Sequence, residues 1–207
     1  MNRPDYDGAV EYAFNRMAKE LAPELQYHGI MHTFDHVLPA AMRLAAQYKL
    51  EQAESELLRV AAAFHDIGWI CNGAEHEKTG VKIIREVLPS FGFRNDQIER
   101  IAGIIMVTKP PQKPHDLLGE IMVDADLDVL GREDFWLRNH DLREELASHG
   151  QQMSDEEWCL NQLEFLQSHC YFTDAAKMLR EEGKQKHIEE LKQQLQESSQ
   201  PAVVKND

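Results

Sequence analysis

The sequence predicts an all-α protein, a single-domain helical bundle, on three observations. Apolar residues recur at three- and four-residue steps from one end of the chain to the other, and no convincing strand-type alternation interrupts them. Proline or glycine stands where several of these periodic runs stop, as at Pro23, Pro89 and Gly131. The chain has 207 residues, 43% hydrophobic and 28% charged, which suits one domain with a sizeable core.

The first predicted helix covers Gly8 to Leu21, with Val10, Phe14, Met17 and Leu21 on one face and Pro23 ending it. A second runs from Ile30 to about Tyr48, with a kink or break expected at Pro39, which cannot donate a backbone hydrogen bond. The third spans Gln52 to Ile67. A loop holding Cys71, Asn72 and Gly73 precedes a fourth, from about Glu75 to Leu88. After a turn at Phe91-Gly92-Phe93, Asn95 or Asp96 caps a fifth helix reaching Val107. Lys109 to Pro114 holds three prolines in a short span between core-like helices, so it reads as a shaped loop and not a linker.

A sixth helix, Leu117 to Leu130, ends at Gly131, and two more follow near 133–148 and 154–168. Ser154 with Glu157 has the form of a capping box. The last helix starts near Thr173 and passes through Glu189–Gln193. Its Ile188, Leu191 and Leu195 suit either a partner helix in a homodimer or packing on the helix's own domain. Residues 197–207 read as a disordered tail.

Charge and cysteine usage narrow the function. A net charge of −14 argues against a non-specific grip on nucleic acid. It leaves room for a small anionic substrate, because a bound metal can dominate the local field. Cys71, Cys159 and Cys170 are widely spaced and odd in number, which argues against a disulfide framework or a cysteine zinc site. The opening residues are polar and acidic, unlike a signal peptide, and no apolar run reaches membrane-spanning length. A cytoplasmic protein with no membrane partner is the expectation.

His65-Asp66 closes the apolar run Leu57 to Phe64, just before Gly68. Neither residue is easily buried without a partner. A divalent cation supplies one, and so does a hydrogen bond within the pair; the dipeptide alone does not choose. Upstream, His28, His32 and His36 are spaced i, i+4, i+8 and share a stripe wherever the segment is helical. Downstream, Asp124 and Asp126 interrupt the apolar run Ile121 to Leu127, a costly place for a carboxylate that nothing meets. Three separate helices thus each carry metal-type ligands, and coincidence explains the set less well than any one member.

In order and spacing these residues resemble the HD-domain metal-dependent phosphohydrolases, whose signature is H…HD…D on a helical bundle. The resemblance covers about residues 27 to 130 and implies an HD metal-binding core there. Residues 1–26 would be a helix packed on that core and 131–196 would complete the bundle. It implies His32, His65, Asp66 and Asp126 as ligands of one divalent ion (Mn, Mg, Fe, Co, Ni or Zn), with Asp124 the alternative to Asp126. Tyr27-His28…His32 is also similar to the motif of cyclic nucleotide phosphodiesterases, which implies that His28 protonates the leaving oxygen. Asp66 would orient or deprotonate the attacking water. His76 lies where many such proteins carry a further histidine, for a second metal or the phosphate. Thr108 and Lys109 stand where dinuclear members add another histidine, which makes a second metal doubtful.

Lys109 and Arg132 are the basic residues nearest the motifs in sequence and the candidates for binding phosphate. His140, His149, His169 and His187 read as surface. The resemblance therefore implies a metal-dependent phosphohydrolase acting on a small phosphate ester, foremost a nucleotide. The competing reading is a catalytically idle nucleotide-binding or dimerisation module in signalling.

Overall fold

Helix α3 (Gln52–Phe64) is the element around which the others pack: α1 (Tyr6–Glu20), α2 (Leu38–Ala45), α5 (Asn95–Met106) and α6 (Leu117–Asp126) all touch it. Its composition explains this. Leu58, Val60, Ala61, Ala62, Ala63 and Phe64 are fully buried, as expected of a helix that is apolar nearly all round, and the three alanines let neighbouring helices come close. The computed structural model describes residues 3–71, 73 and 75–198. Among them are α4 (His76–Val87), α7 (Phe135–Ser148), α8 (Asp155–Ser168) and α9 (Asp174–Ser198), and no strand. The all-α bundle that the sequence predicts is the one observed. No described helix is long and apolar enough to cross a membrane.

Several boundaries differ from the sequence expectation for local reasons. Residues His32–Val37 form a π-helical segment that runs straight into α2. Pro39 falls in the first turn of α2, just where the helix changes from π to α. α3 stops at Phe64 and a 3-10 segment, Ile67–Cys71, takes the chain on to α4. The N-cap of α5 is Arg94, not Asn95 or Asp96, and the Gln97 side chain accepts its backbone N–H at 3.0 Å. α6 ends at Asp126 and passes into a 3-10 turn, Asp128–Gly131. The Ser154–Glu157 capping box starts α8.

The apolar face of α9 is turned inward. Ile188 and Leu191 are buried, and Leu195 packs against the same core, so this face is used within the protein's own bundle. α9 lies so close to the 128–131 turn that a Cβ on Gly131 would sit 2.1 Å from the Arg180 carbonyl oxygen, and only glycine fits there. Glu197 and Ser198, expected in a tail, are the last residues of α9; the rest of that tail lies outside the described residues.

Candidate metal centre

Four side chains converge where the π-helical segment, the end of α3 and the end of α6 meet. His32 Nε2 lies 3.1 Å from Asp126 Oδ1 and 3.6 Å from Asp66 Oδ2. His65 Nε2 lies 3.3 Å from Asp66 Oδ2 and 3.5 Å from Asp126 Oδ1. His32, His65 and Asp66 are buried, and one donor atom of each lies within 4.8 Å of the others. His65 Nδ1 donates to the Ala62 carbonyl at 2.8 Å, which fixes the ring so that Nε2 offers its lone pair to the cluster.

Nε2 of His65 and Oδ2 of Asp66 are both buried and make no hydrogen bond. Unpartnered buried polar atoms are costly and rare. Two imidazole nitrogens and two carboxylate oxygens facing one point are the donor set of a divalent ion, so the residues fit such a group. The electrostatics agree. Burial pushes the His32 imidazole down. Burial also opposes charge on His65, but Asp66 and Asp126 outweigh it and raise that ring well above its ordinary value. Burial would raise Asp66, yet His65 and His76 hold it well below the usual carboxylate range, and His32 and His65 do the same for Asp126. Two carboxylates held charged at one point suit a cation.

A second layer surrounds the cluster. His76 Nε2 is 3.3 Å from the other Asp66 oxygen, Oδ1, and 3.6 Å from buried Glu77 Oε1. Gly68 allows this: a Cβ there would lie 1.9 Å from the His76 carbonyl oxygen, so the 3-10 segment can press against the start of α4 only with glycine. Trp69 packs against the rings of both His28 and His76, with centroids at 4.4 and 4.8 Å, and those two rings lie 6.2 Å from each other. His28 is held from α7. The buried Glu145 carboxylate takes the backbone N–H of Tyr27 at 2.9 Å and of His28 at 3.0 Å, and also bonds the His28 Nδ1. Burial opposes charge on Glu145, but these bonds hold its carboxyl below the ordinary value. Arg138, one helical stripe away, donates to the Tyr27 carbonyl at 2.8 Å and stacks over the Tyr27 ring.

Other candidates lie elsewhere. The Asp124 carboxylate is 0% exposed and accepts from Phe172 N, Thr173 N and Thr173 Oγ1 at 2.9, 2.7 and 2.6 Å, at the start of α9. Arg132 is paired with Asp134, and Lys109 Nζ is 3.4 Å from Glu75, so neither points its charge at the cluster. His36 is not among the residues of the cluster. It faces Arg132 and Arg138, and burial with those two charges lowers it to about 4. His187, expected at the surface, is buried, donates from Nδ1 to the Leu130 carbonyl, and stacks on Phe135. Half-buried His169, also expected there, has both ring nitrogens shielded and without hydrogen bonds.

Sequence reasoning missed Glu145, Glu77 and Trp69. The one available signal was position: Arg138, Leu142 and Glu145 follow at i, i+4, i+7 and so share a face of α7. The cluster opens on a cavity of about 400 Å³. Asp66, His76, Glu77, Asp126 and His28 line it, with an apolar wall that includes Leu127, Leu130, Phe135, Leu142 and Phe165.

The bundle brings histidines and aspartates in the order H…HD…D to one point. Residues 33–128 match the HD domain family. The fold is similar to the crystal structure of a predicted HD superfamily hydrolase from an uncultured Thermotogales bacterium. The two share 20% identity at a TM-score of 0.62, over 95% of this chain and 94% of that one. A comparison with curated proteins gave no match.

Proposed function

We propose that the protein is a metal-dependent phosphohydrolase that cleaves a phosphate ester of a small molecule, with nucleotides as the first candidates. The observation that carries this is the pair of unpartnered buried atoms, His65 Nε2 and Asp66 Oδ2, facing His32 and Asp126 at the edge of a cavity. His32, His65, Asp66 and Asp126 would hold one divalent ion. When bound, such an ion supplies Lewis acidity, lowering the pKa of water and polarising a phosphoryl oxygen.

The chain's own residues do the rest. Asp66 presents Oδ2 to the cluster and Oδ1 to His76, so it can accept a proton from the attacking water while His76 keeps its carboxylate oriented. His28 gives a proton to the leaving oxygen. Glu145, bonded to His28 Nδ1, holds the ring so that Nε2 is the free nitrogen, the one that would meet the leaving oxygen. Trp69 packs on the rings of both His28 and His76 and so restricts how either can turn.

The test is turnover of cyclic and linear nucleotides and simpler phosphate esters, with Mn, Mg, Fe, Co, Ni and Zn supplied in turn. Metal-dependent hydrolysis is expected; a metal-loaded protein that cleaves none of them overturns the reading. Glu145→Gln should lower kcat by about 10- to 100-fold with metal content unchanged, the range for impairing a general acid. A normal kcat in that variant would remove His28 from the acid role.

A further inference from the structure

The cavity beside the metal centre has two properties that bear on its ligand. First, among the described residues no lysine or arginine lines it. The nearby cations are engaged: Lys109 with Glu75, Arg132 with Asp134, and Arg138 with Asp141 and two backbone carbonyls. Asp66, Glu77 and Asp126 meanwhile add carboxylates to the lining. One phosphoryl group at the metal centre would be matched by the ion with His28 and His76. A second or third would face those carboxylates, uncharged side chains and hydrocarbon, with no cation to offset its charge.

Second, the α7–α8 wall has a fixed hydrogen-bond polarity. The Trp158 indole can only donate, and its Nε1 lies 2.8 Å from Asn139 Oδ1. The other end of that carboxamide is therefore its NH2, which donates to Gln162 Oε1 at 2.6 Å. Gln162 is left with Nε2, two N–H donors that bond nothing among the described residues, on a side chain that lines the cavity beside Phe165. A donor in an otherwise apolar wall selects for a ligand that brings an acceptor, because a mismatched partner leaves it unpaired.

We infer that the cavity takes a phosphate monoester with one phosphoryl group on an uncharged body, and that Gln162 Nε2 reads a hydrogen-bond acceptor on that body. Gln162 is a specificity-determining residue and has no part in the chemistry. The inference rests on the phosphohydrolase reading, and it predicts that nucleoside diphosphates and triphosphates are poor substrates. Two measurements on the full, metal-loaded protein test it. Uridine monophosphate should be hydrolysed with a kcat/KM at least about tenfold above the di- and triphosphate, the scale of one uncompensated buried charge or more. Comparable rates for all three would overturn the single-phosphoryl assignment.

The second measurement is calorimetric binding of two non-hydrolysable probes, benzylphosphonate and 4-acetylbenzylphosphonate. The acetyl-bearing probe should bind about fivefold tighter, as one added hydrogen bond gives. Gln162→Glu should abolish the ratio, since a carboxylate still accepts from Asn139 but has no N–H to offer. A ratio near one in the unaltered protein, or one that survives Gln162→Glu, would overturn the role of Gln162. If no phosphate ester is hydrolysed at all, the hydrolase reading fails, and the phosphonate ratio still decides whether the wall reads an acceptor.

Discussion

Asp124, Asp126 and Asp128 sit at alternate positions along one segment, yet their surroundings have little in common. Asp124 is saturated by three hydrogen bonds from the start of α9. Asp128 is gripped by two guanidinium groups, with Arg43 at 2.8 Å and Arg180 at 2.8 and 3.0 Å. Asp126 faces only His32 and His65, beside an Asp66 oxygen that bonds nothing. The first two carboxylates tie α6 and the following turn to α9 and α2. The third belongs to a donor set that the chain itself does not complete. A buried carboxylate thus reads as structural when protein groups satisfy it, and as functional when its unsatisfied neighbours point at a common centre.

Substitutions along this segment should separate the two kinds. The largest effect is expected at the centre: Asp126→Ala should lower metal content and metal-dependent activity by at least about 100-fold, more than the loss of a mere supporting partner. Its metal-free stability should change by less than about 1 kcal/mol, because no protein donor outside the cluster is orphaned. Metal analysis beside a urea titration reads both, and full metal occupancy in this variant would break the contrast.

Asp128→Ala should do the reverse. It leaves Arg43 and Arg180 facing each other without their counter-ion, at a cost of about 2–4 kcal/mol; the partial exposure of both arginines keeps this below a fully buried pair. Metal content should be unaffected. Asp124→Ala should cost about 2–3 kcal/mol by leaving the Thr173 hydroxyl and two backbone N–H groups unmatched, again with the metal retained. If Asp124→Ala emptied the centre instead, the assignment of Asp126 over Asp124 would be wrong.

The smallest effect concerns the histidine left outside the cluster. Burial, with Arg132 and Arg138 beside it, lowers His36 from an ordinary 6.5 to about 4. Between those values the unfolded chain binds a proton that the folded one does not, so stability is lost as pH falls through about 6.5 towards about 4. His169 acts in the same direction and window. His36→Gln should therefore flatten, without abolishing, the acid-side decline in melting temperature; an unchanged slope would show that His36 is solvated.

Much of this was legible in the chain because it is local. The apolar run into Phe64 marked α3 and placed His65-Asp66 at its end, since a helix's buried face is written in neighbouring residues. The Ser154–Glu157 cap was readable for the same reason. The π-helical turn over His32–Val37 was not readable, because nothing in the local sequence announces it. Glu145 was not readable at all: its bond to His28 spans 117 positions, and in sequence it is one more acid on a charged helix.

By itself, then, the sequence determined the helical class, most helix positions and which residue types could bind a metal. Periodicity and capping act over a few residues and survive without tertiary context. Only the packed structure decided which carboxylates are spoken for, which histidine is steered by Glu145, and which way the Gln162 amide points. Each of those depends on a partner brought in by a distant helix, and partnership of that kind is a property of packing, with no trace in local order.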